Sequence, residues 1–428
     1  MKLQGVFVGV IAGVMLSGCT AKTTMMSVPV MFALGQADPY GETVPKGGPN
    51  VEVYYATNRE VDEDNDSVGR YLDGRGKHLK LGKATVRIGP EGGTWDEARE
   101  RSFDRWRDRA LPIEVVDIDE KAVLRESISW LDDAYDDPET LRLQQQFART
   151  INDALEASEG DDITIFVAPF KVDFNTAVLT AAEFHHFGGR KGVFLAYSWP
   201  TKLGTLDYFS ATESAYAGVR DLRILIEFLA DSTSARKIHL MTYSAGARVL
   251  SYALHELRLQ VDELDLEEAR SQFRIGQVIF TGPDIEWDLF TLHYQDGMPE
   301  LADQITIYTT PRDKALGMSQ WVFGWQRLGQ VEAEDLGEQG RTFIEEQEHT
   351  NFVSVTNTER IERDNSHGYF RRSPWVSSDI VLILTNELLP GERGLQRTPG
   401  DPIWRFPAEY ASTVPAIAEE HFPIRDVR

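Results

Sequence analysis

Short apolar runs alternate with amphipathic segments along most of the chain. The runs have the length of buried strands and lie at residues 162–170, 192–200, 237–243, 277–285 and 305–313. The segments between them carry apolar residues at helical spacing, as residues 219–229 and 249–257 do. Continuous apolar strands that alternate with amphipathic helices predict a mostly parallel, doubly wound α/β sheet with helices on both faces. In such a sheet the reactive residues lie at the carboxyl ends of the strands.

The same pattern marks where the domain begins and ends. The first strand signal is VEVYYAT at residues 51–57, and we expect one domain over residues 51–390. Residues 19–50 are rich in Thr, Met, Gly and Pro without a clear period, which predicts a flexible tether. Residues 391–428 also lack a period, and we expect them to form an irregular C-terminal tail.

Residues 1–18 have the features of a secretory signal. Lys2 precedes an apolar run over residues 6–16, which is too short to span a bilayer as a mature helix. The run leads into LSGC, which ends at Cys19, the only cysteine of the chain, and resembles the bacterial lipobox. This resemblance implies that Cys19 is lipidated and anchors the protein in the bacterial cell envelope, and Thr20 favours the outer membrane, facing the periplasm. The alternative is a plain signal peptide with a chance cysteine.

The net charge of the chain argues against some classes of binding partner. The 428 residues include 68 acidic and 44 basic side chains, a formal net charge of −24. Nucleic acid demands a basic footprint, so we expect no nucleic-acid partner, and a solvated acidic surface is the simplest interpretation. Asp62, Asp64 and Asp66 alternate like calcium ligands, but Ser67 stands where such a loop has glycine. We therefore predict a solvated acidic turn and no calcium site in this loop.

Ser244 is the leading candidate for a nucleophile. It follows the apolar run KIHLMTY and precedes a helical segment, which is the place of a sharp strand-to-helix turn. Such a turn needs small residues two positions to either side of the nucleophile. Gly246 meets this requirement, whereas Thr242 stands where the G-x-S-x-G pattern has glycine. The alternative is an ordinary helix N-terminus in which Ser244 caps or packs.

A serine hydroxyl needs a base, and in this class of fold the chain order is serine, acid, histidine. The histidines downstream are His255, His293, His349, His367 and His421. His367, in the loop DNSHGYF, lies between a strand-like run and a helical segment, the expected place of the base. Asp284 and Asp313 compete for the third role, and Asp313 is favoured because the acid usually follows the penultimate core strand.

Six motifs in the correct order resemble a bacterial family of esterase/lipase-like α/β-hydrolases catalogued as a domain of unknown function. They are VEVYYATNR from residue 51, SWP from 198, YSAGARVL from 243, PD at 283–284, DKAL from 313 with RLG from 327, and HGYF from 367. The resemblance covers residues 51–388. It implies an α/β-hydrolase fold in which Ser244, Asp313 and His367 form a catalytic triad, and it names no natural substrate.

The chain departs from the family pattern beside the predicted site. Members carry VHGYN after the strand that supplies the oxyanion hole, and here residues 167–171 are Val-Ala-Pro-Phe-Lys. The resemblance assigns the backbone N–H groups of Phe170 and Ala245 to the oxyanion hole, and Pro169 restricts the backbone just before Phe170. Tyr243 replaces the usual histidine beside the nucleophile.

These observations lead to one expected function and two alternatives. We expect an envelope-anchored serine hydrolase that cleaves a carboxylic ester or a related acyl bond in a small acyl substrate. This mechanism needs no metal and no organic cofactor, and we predict neither. The substitution of Ala168 and Pro169 for the His-Gly pair motivates the first alternative, a non-catalytic binding or scaffold lipoprotein on a hydrolase fold. The second alternative is an acyltransferase, which passes the acyl group to an acceptor other than water.

Overall fold

A computed structural model describes residues 23–422 except for residues 36, 42, 108, 202–207, 335 and 360–365. The predicted signal peptide and Cys19 lie outside the described residues. Within them the strands are β1 (Asn50–Val61), β2 (Tyr71–Ile88), β3 (Ile113–Val123), β4 (Ile163–Val167), β5 (Val193–Ser198), β6 (Ile238–Tyr243), β7 (Ile275–Thr281), β8 (Ala302–Thr309), β9 (Thr350–Ser354) and β10 (Trp404–Arg405).

The helices cover both faces of the sheet that these strands form. They are α1 (Trp95–Phe103), α2 (Pro138–Ala157), α3 (Phe174–Phe187), α4 (Tyr208–Ser232), α5 (Gly246–Gln260), α6 (Leu266–Phe273), α7 (Trp287–Gln295), α8 (Lys314–Phe323), α9 (Glu338–Glu345), α10 (Tyr369–Arg372), α11 (Pro374–Asn386) and α12 (Tyr410–His421). Among the described residues, no helix combines the length and the apolar character that crossing a membrane requires.

One sheet of ten strands, counted over the described residues, has the order β10-β9-β8-β7-β6-β4-β5-β1-β2-β3. From β10 to β1 the neighbouring strands are parallel, and β2 and β3 extend the sheet as antiparallel partners. Strands β4, β5 and β7 are buried along their whole length, as parallel strands covered on both faces must be. The predicted mostly parallel, doubly wound α/β sheet is confirmed.

Two apolar clusters occupy the two faces of the sheet. Helices α3, α11 and α12 contribute to one cluster, and α2, α4 and α5 contribute to the other. The register pairs Val167 of β4 with Thr242 of β6, and Tyr243 with Thr281 of β7. The carboxyl ends of the central strands therefore meet at one edge, where the predicted site residues follow them.

The structure differs from the predicted flexible tether over residues 19–50. From Met25 to Phe32 most side chains are buried in the core, and the backbone N–H of Met26 donates to Glu183 Oε1 at 2.7 Å. Met31 N–H donates to Ser378 Oγ at 3.1 Å. The prediction was wrong for this stretch because an irregular segment can pack through apolar side chains and side-chain acceptors without any periodic pattern.

The predicted irregular tail is also more ordered than its composition indicated. Residues 391–422 contain β10 and α12, and Tyr410 and Val414 of α12 are buried. Phe422 packs edge-on against Phe32, with ring centroids 5.7 Å apart. The two ends of the described chain therefore complete the same helical layer.

Candidate active site

Ser244 lies on a strained turn between β6 and α5. Its φ is 53°, in the left-handed region that costs a non-glycine residue on the order of 1 kcal/mol. Two backbone hydrogen bonds hold this conformation: Ser244 N–H donates to Thr281 O, and Asp284 N–H donates to Ser244 O, each at 3.0 Å. The strained serine is thus fixed by the neighbouring strand β7, as a nucleophile on a sharp turn has to be.

Gly246 is required by the close approach of β4 to this turn. A Cβ on Gly246 would lie 2.5 Å from Thr242 Oγ1 and 2.7 Å from Ala168 O. Thr242 itself is accommodated because it is fully buried and its hydroxyl donates to Val167 O at 3.3 Å. The threonine that breaks the G-x-S-x-G pattern therefore occupies space between β4 and β6, and Gly246 supplies the room that remains.

The three side chains predicted to act together form one hydrogen-bonded row. His367 Nε2 is 2.9 Å from Ser244 Oγ, and His367 Nδ1 is 2.6 Å from Asp313 Oδ2. A carboxylate only accepts, so the bond to Asp313 assigns the proton to Nδ1 and leaves the Nε2 lone pair for the serine hydroxyl. This tautomer is the one that a general base beside a serine needs.

Asp313 is held by more than the histidine. It is the N-cap of α8, and its Oδ1 accepts the backbone N–H groups of Ala315 and Leu316, each at 3.0 Å. Gln330 Nε2 donates to the Asp313 carbonyl at 3.2 Å. Only 1% of the residue is exposed. One oxygen is therefore committed to the helix cap, which points the other at the imidazole.

The imidazole of His367 packs against Tyr243, the residue that replaces the family's histidine. The centroids of these two rings are 4.8 Å apart. The ring of Phe370 also packs on Tyr243, with its centroid 4.5 Å from that of Tyr243. Burial, followed by the charge of Asp313, raises the pKa of Tyr243 well above its ordinary value. Its phenol therefore stays neutral, and its ring acts as an apolar wall for the imidazole.

The loop that carries the predicted oxyanion-hole residue is anchored on both sides of Pro169. Trp199 Nε1 donates to the Ala168 carbonyl at 2.7 Å, and Lys171 takes a left-handed φ of 61°. Phe170, between them, lines a cavity that Ala245 also lines. The two residues assigned to the oxyanion hole thus line the same cavity, and Pro169 is accommodated in the loop.

This cavity has a volume of about 300 Å³ and is mainly apolar. Its lining includes Trp199, Val219, Val249, Ile285, Leu289 and Trp325. Arg248 and Arg327 add polar groups to the wall. Ala245, which follows Ser244 in the chain, is part of the lining, so the cavity lies next to the turn that carries the serine.

Asp284, the competing acid, serves a different set of partners. Its Oδ2 is 2.9 Å from Arg248 Nη2, and its Oδ1 accepts the Ser319 hydroxyl at 2.7 Å. Arg327 Nε lies 3.5 Å from the same carboxylate. Asp284 therefore fastens α5 and α8 together at the cavity wall, and Asp313 is the acid that reaches His367.

The sequence analysis missed Arg59, which fastens the loops around the site. Its side chain is fully buried, its Nε donates to Ser198 Oγ at 2.9 Å, and its Nη2 donates to Val172 O at 2.7 Å. Burial lowers the pKa of Arg59 to about 10, which leaves it cationic at neutral pH. The available signal was the arginine that directly follows the apolar run YYATN at the carboxyl end of β1.

One group of side chains in the described part of the chain has the spacing of a metal site, at the opposite edge of the sheet. It comprises Asp162, His239 and Glu387. His239 Nδ1 accepts the Gln277 N–H at 2.9 Å, so its other nitrogen carries a proton and has no lone pair for a metal. Arg236 binds both carboxylates. The residues fit an ion-pair cluster and do not fit a metal ion.

Comparison with known proteins places the chain among hydrolases. Residues 143–386 match the model of a family described as "Alpha/beta hydrolase of unknown function (DUF900)". Two solved structures of an esterase from the archaeon Pyrobaculum calidifontis are similar at 10% identity and a TM-score of 0.28; the matches cover 60% and 59% of this chain and 95% and 94% of theirs. A search of curated proteins finds no match.

Proposed function

The chain belongs to the family of alpha/beta hydrolases of unknown function, and from this premise we propose that it is a serine hydrolase acting on a carboxylic ester or a related acyl bond. The observation that carries the proposal is the hydrogen-bonded row from Asp313 through His367 to Ser244. The strained backbone of Ser244 supports it, because such strain at a strand-to-helix turn persists where it serves a function.

In the proposed mechanism Ser244 Oγ attacks the acyl carbonyl while His367 Nε2 takes the hydroxyl proton. The carbonyl electron pair moves to oxygen, and the N–H groups of Phe170 and Ala245 stabilise the resulting oxyanion. His367 then gives its proton to the leaving alcohol, and an acyl-enzyme remains on Ser244. Asp313 keeps the imidazole oriented and stabilises its cation in both steps.

The second half of the reaction repeats the same proton transfers. Water enters beside the acyl-enzyme, gives a proton to His367 Nε2 and attacks the acyl carbon. The bond to Ser244 Oγ breaks, the serine recovers its proton from His367, and a carboxylic acid leaves. Every proton that is taken up is returned, so the cycle needs only the ester and water.

A fluorophosphonate probe tests the nucleophile directly. We expect the native chain to form a covalent adduct on Ser244 and to hydrolyse a soluble short-chain ester such as p-nitrophenyl acetate. Ser244→Ala is expected to lose both properties while its melting temperature stays near that of the native chain. Absence of labelling of the native chain would overturn the proposal in favour of a binding or scaffold protein, and labelling that survives Ser244→Ala would move the nucleophile elsewhere.

Product analysis separates hydrolysis from transfer. With p-nitrophenyl acetate in water plus a small added alcohol, a hydrolase releases mainly free acetate, whereas a transferase releases mainly the acetate ester of that alcohol. We expect free acetate. A dominant new ester would replace hydrolysis by acyl transfer through the same Ser244.

We further propose that Cys19 carries the lipid anchor that holds the protein in the bacterial envelope, at the outer membrane and facing the periplasm. The support is the sequence LSGC after a short apolar run with a basic start. Globomycin is expected to block processing of the native chain. Normal maturation and membrane association of Cys19→Ala would remove the anchor from this account.

A further inference from the structure

Helix α8, which begins directly after Asp313, exposes three of its larger apolar side chains. Met318 is 61% exposed, Trp321 81% and Val322 58%, and Trp325, just beyond the helix, is 56% exposed. These four residues are here called the α8 face. Met318, Trp321 and Val322 have the spacing i, i+3, i+4 of one side of a helix, and Trp325 follows the left-handed Gly324 that ends it. In α8 only Leu316 is buried. Large exposed apolar patches of this kind mark interaction surfaces.

The α8 face is continuous with the cavity beside Ser244. Phe323 and Trp325 line that cavity together with Phe170 and Ala245, and Trp325 also belongs to the α8 face. On another part of the rim, Tyr216 is 60% exposed. An apolar group could therefore pass from a surface that covers the α8 face into the cavity along Phe323 and Trp325. The guanidinium groups of Arg248 and Arg327 lie over the Phe323 ring on this path.

The charge distribution indicates what covers the face. Residues 314–327 contain no Asp or Glu, in a chain with 68 acidic residues among 428. A second copy would bring another molecule of net charge −24, and the mutual repulsion disfavours that occupant. A zwitterionic lipid surface carries no net charge, and tryptophan prefers the boundary between lipid headgroups and acyl chains.

We propose that the α8 face docks on a zwitterionic lipid surface and that the substrate is an apolar acyl ester presented by that surface. The substrate class rests on the proposed hydrolase function, whereas the docking does not. A docked α8 puts the cavity mouth at the lipid boundary, so that the acyl group moves from one apolar environment to another. Ser244 then meets the ester carbonyl at the depth of the headgroups.

A single introduced cysteine can report on docking at α8 alone, because Cys19 is the only native cysteine. In the full chain with Cys19→Ser, Val322→Cys is labelled with a polarity-sensitive fluorophore and mixed with phosphatidylcholine vesicles. The matched control is Leu131→Cys, at a residue that is 75% exposed but is followed by Asp132 and Asp133. We expect a blue shift of the label at residue 322 on the vesicles and none at residue 131.

Three results of this experiment would overturn the docking proposal. One is no shift at residue 322. Another is an equal shift at both positions, which would assign binding to the apolar leader segment or to unspecific adsorption. The third is a shift that depends on protein concentration without vesicles, which would identify a second copy as the occupant.

Kinetics then test the substrate class. Trp321→Ser combined with Val322→Ser removes apolar area from the α8 face without touching the cavity lining, and Trp130→Ser is the matched control at a residue 78% exposed. We expect the α8 variant to lose about tenfold in rate on a long-chain ester held in vesicles, since interfacial binding scales with buried apolar area. Its rate on p-nitrophenyl acetate, and both rates of Trp130→Ser, stay within about twofold of the native chain.

The two proposals fail in different ways. A native chain that hydrolyses neither ester loses the hydrolase function, whatever the vesicle experiment shows. A native chain that hydrolyses the soluble ester, with an α8 variant that matches it on vesicles, keeps the hydrolase function and loses the docking surface.

Discussion

Two buried aspartates, Asp313 and Asp379, have different partners although their exposure is nearly the same, and the proposed mechanism gives a chemical role only to Asp313. Asp313 is 1% exposed and Asp379 is 0% exposed. Asp379 accepts Arg393 Nε at 2.7 Å and the hydroxyl of Tyr308 at 2.5 Å. Asp313 accepts His367 at 2.6 Å and two backbone N–H groups. Burial and hydrogen bonding alone therefore do not distinguish a reactive carboxylate from a structural one.

The two aspartates differ in the side chain that each of them binds. The guanidinium of Arg393 is itself buried and does not give up its proton. The ion pair with Asp379 therefore stays within the core and transfers no proton. The imidazole of His367 can gain and lose a proton, and its second nitrogen faces Ser244. In the proposed mechanism, Asp313 therefore contributes to the chemistry because its partner, His367, can carry a proton to and from Ser244.

Asp313→Asn breaks the reactive member of the pair and has the largest expected effect. The two backbone donors of α8 need an acceptor, so they fix the amide with its oxygen toward the helix and its NH₂ toward His367. That orientation forces the proton of the imidazole onto Nε2, and we expect kcat on p-nitrophenyl acetate to fall by about 10³–10⁴-fold. Because the cap survives, the free energy of unfolding should change by no more than about 1 kcal/mol.

Asp379→Asn is the matched change in the structural member. It leaves the guanidinium of Arg393 buried without a counter-charge, and we expect a loss of about 3–5 kcal/mol in the free energy of unfolding, measured with urea. Activity per folded molecule should stay near the native value. If Asp379→Asn remains stable but loses kcat, Asp379 takes part in the reaction and is not the structural member of the two aspartates.

Much of the fold could be predicted from the sequence because the central strands are buried on both faces and read as continuous apolar runs. The runs were longer than the strands: residues 162–170 contain β4, which ends at Val167, and residues 305–313 contain β8, which ends at Thr309. The extra residues form the loops at the site, in which Ala168, Pro169, Thr310 and Asp313 are buried and Pro311 and Arg312 are exposed. Apolar character marks burial, and it does not mark where a strand stops.

The antiparallel strands β2 and β3 were not predicted from the sequence, because they are not continuous apolar runs. Residues 71–88 alternate between buried and exposed positions and carry many charged side chains, because β2 lies near the edge of the sheet. A search for continuous apolar runs passes over such a strand. It finds the centre of a parallel sheet and misses its half-solvated margin.

In the candidate site, the residues that stand in recognisable sequence motifs were predicted. The residues that hold them in place through buried hydrogen bonds were not. Ser244 and His367 stand in ordered motifs, so the structure could bring together what the chain order indicated. The choice between Asp284 and Asp313 depends on which carboxylate reaches the imidazole, which chain order favours but does not determine. Arg59 lies far from the other site residues in sequence. Its place directly after YYATN marks it as unusual but does not indicate its buried bonds to Ser198 and Val172.

Asp221 extends the comparison to a buried carboxyl whose closest partner is neither a cation nor an imidazole. Asn58 Nδ2 donates to its Oδ2 at 2.6 Å, whereas Arg220 Nη1 stays 3.7 Å from its Oδ1. Burial raises the pKa of Asp221 to about 6 despite the amide, because a neutral donor compensates less for lost water than a cation does.

The raised pKa of Asp221 sets the sign of a pH effect on stability. The folded state holds this proton more tightly than the unfolded state, so the stabilising contribution is complete below about pH 4 and is lost as the pH rises through about 6. We expect Asp221→Asn to gain about 1–3 kcal/mol in the free energy of unfolding, relative to the native chain, between pH 4 and pH 8. A difference between the two chains that does not vary with pH would contradict the raised pKa.

A change at Tyr243 has the smallest expected effect on the rate. It is also a specific test of the proposed triad, because Tyr243 packs against His367 and not against Asp313. Its ring lies 4.8 Å from that of His367, and it does not line the cavity. An aromatic wall holds the imidazole in place and stabilises the imidazolium that forms in the proposed mechanism by about 1 kcal/mol. Tyr243→Ala should therefore lower kcat on p-nitrophenyl acetate about fivefold and leave KM unchanged. Tyr243→Phe keeps the ring and should keep the rate; if it is as slow as Tyr243→Ala, the hydroxyl and not the ring supports His367.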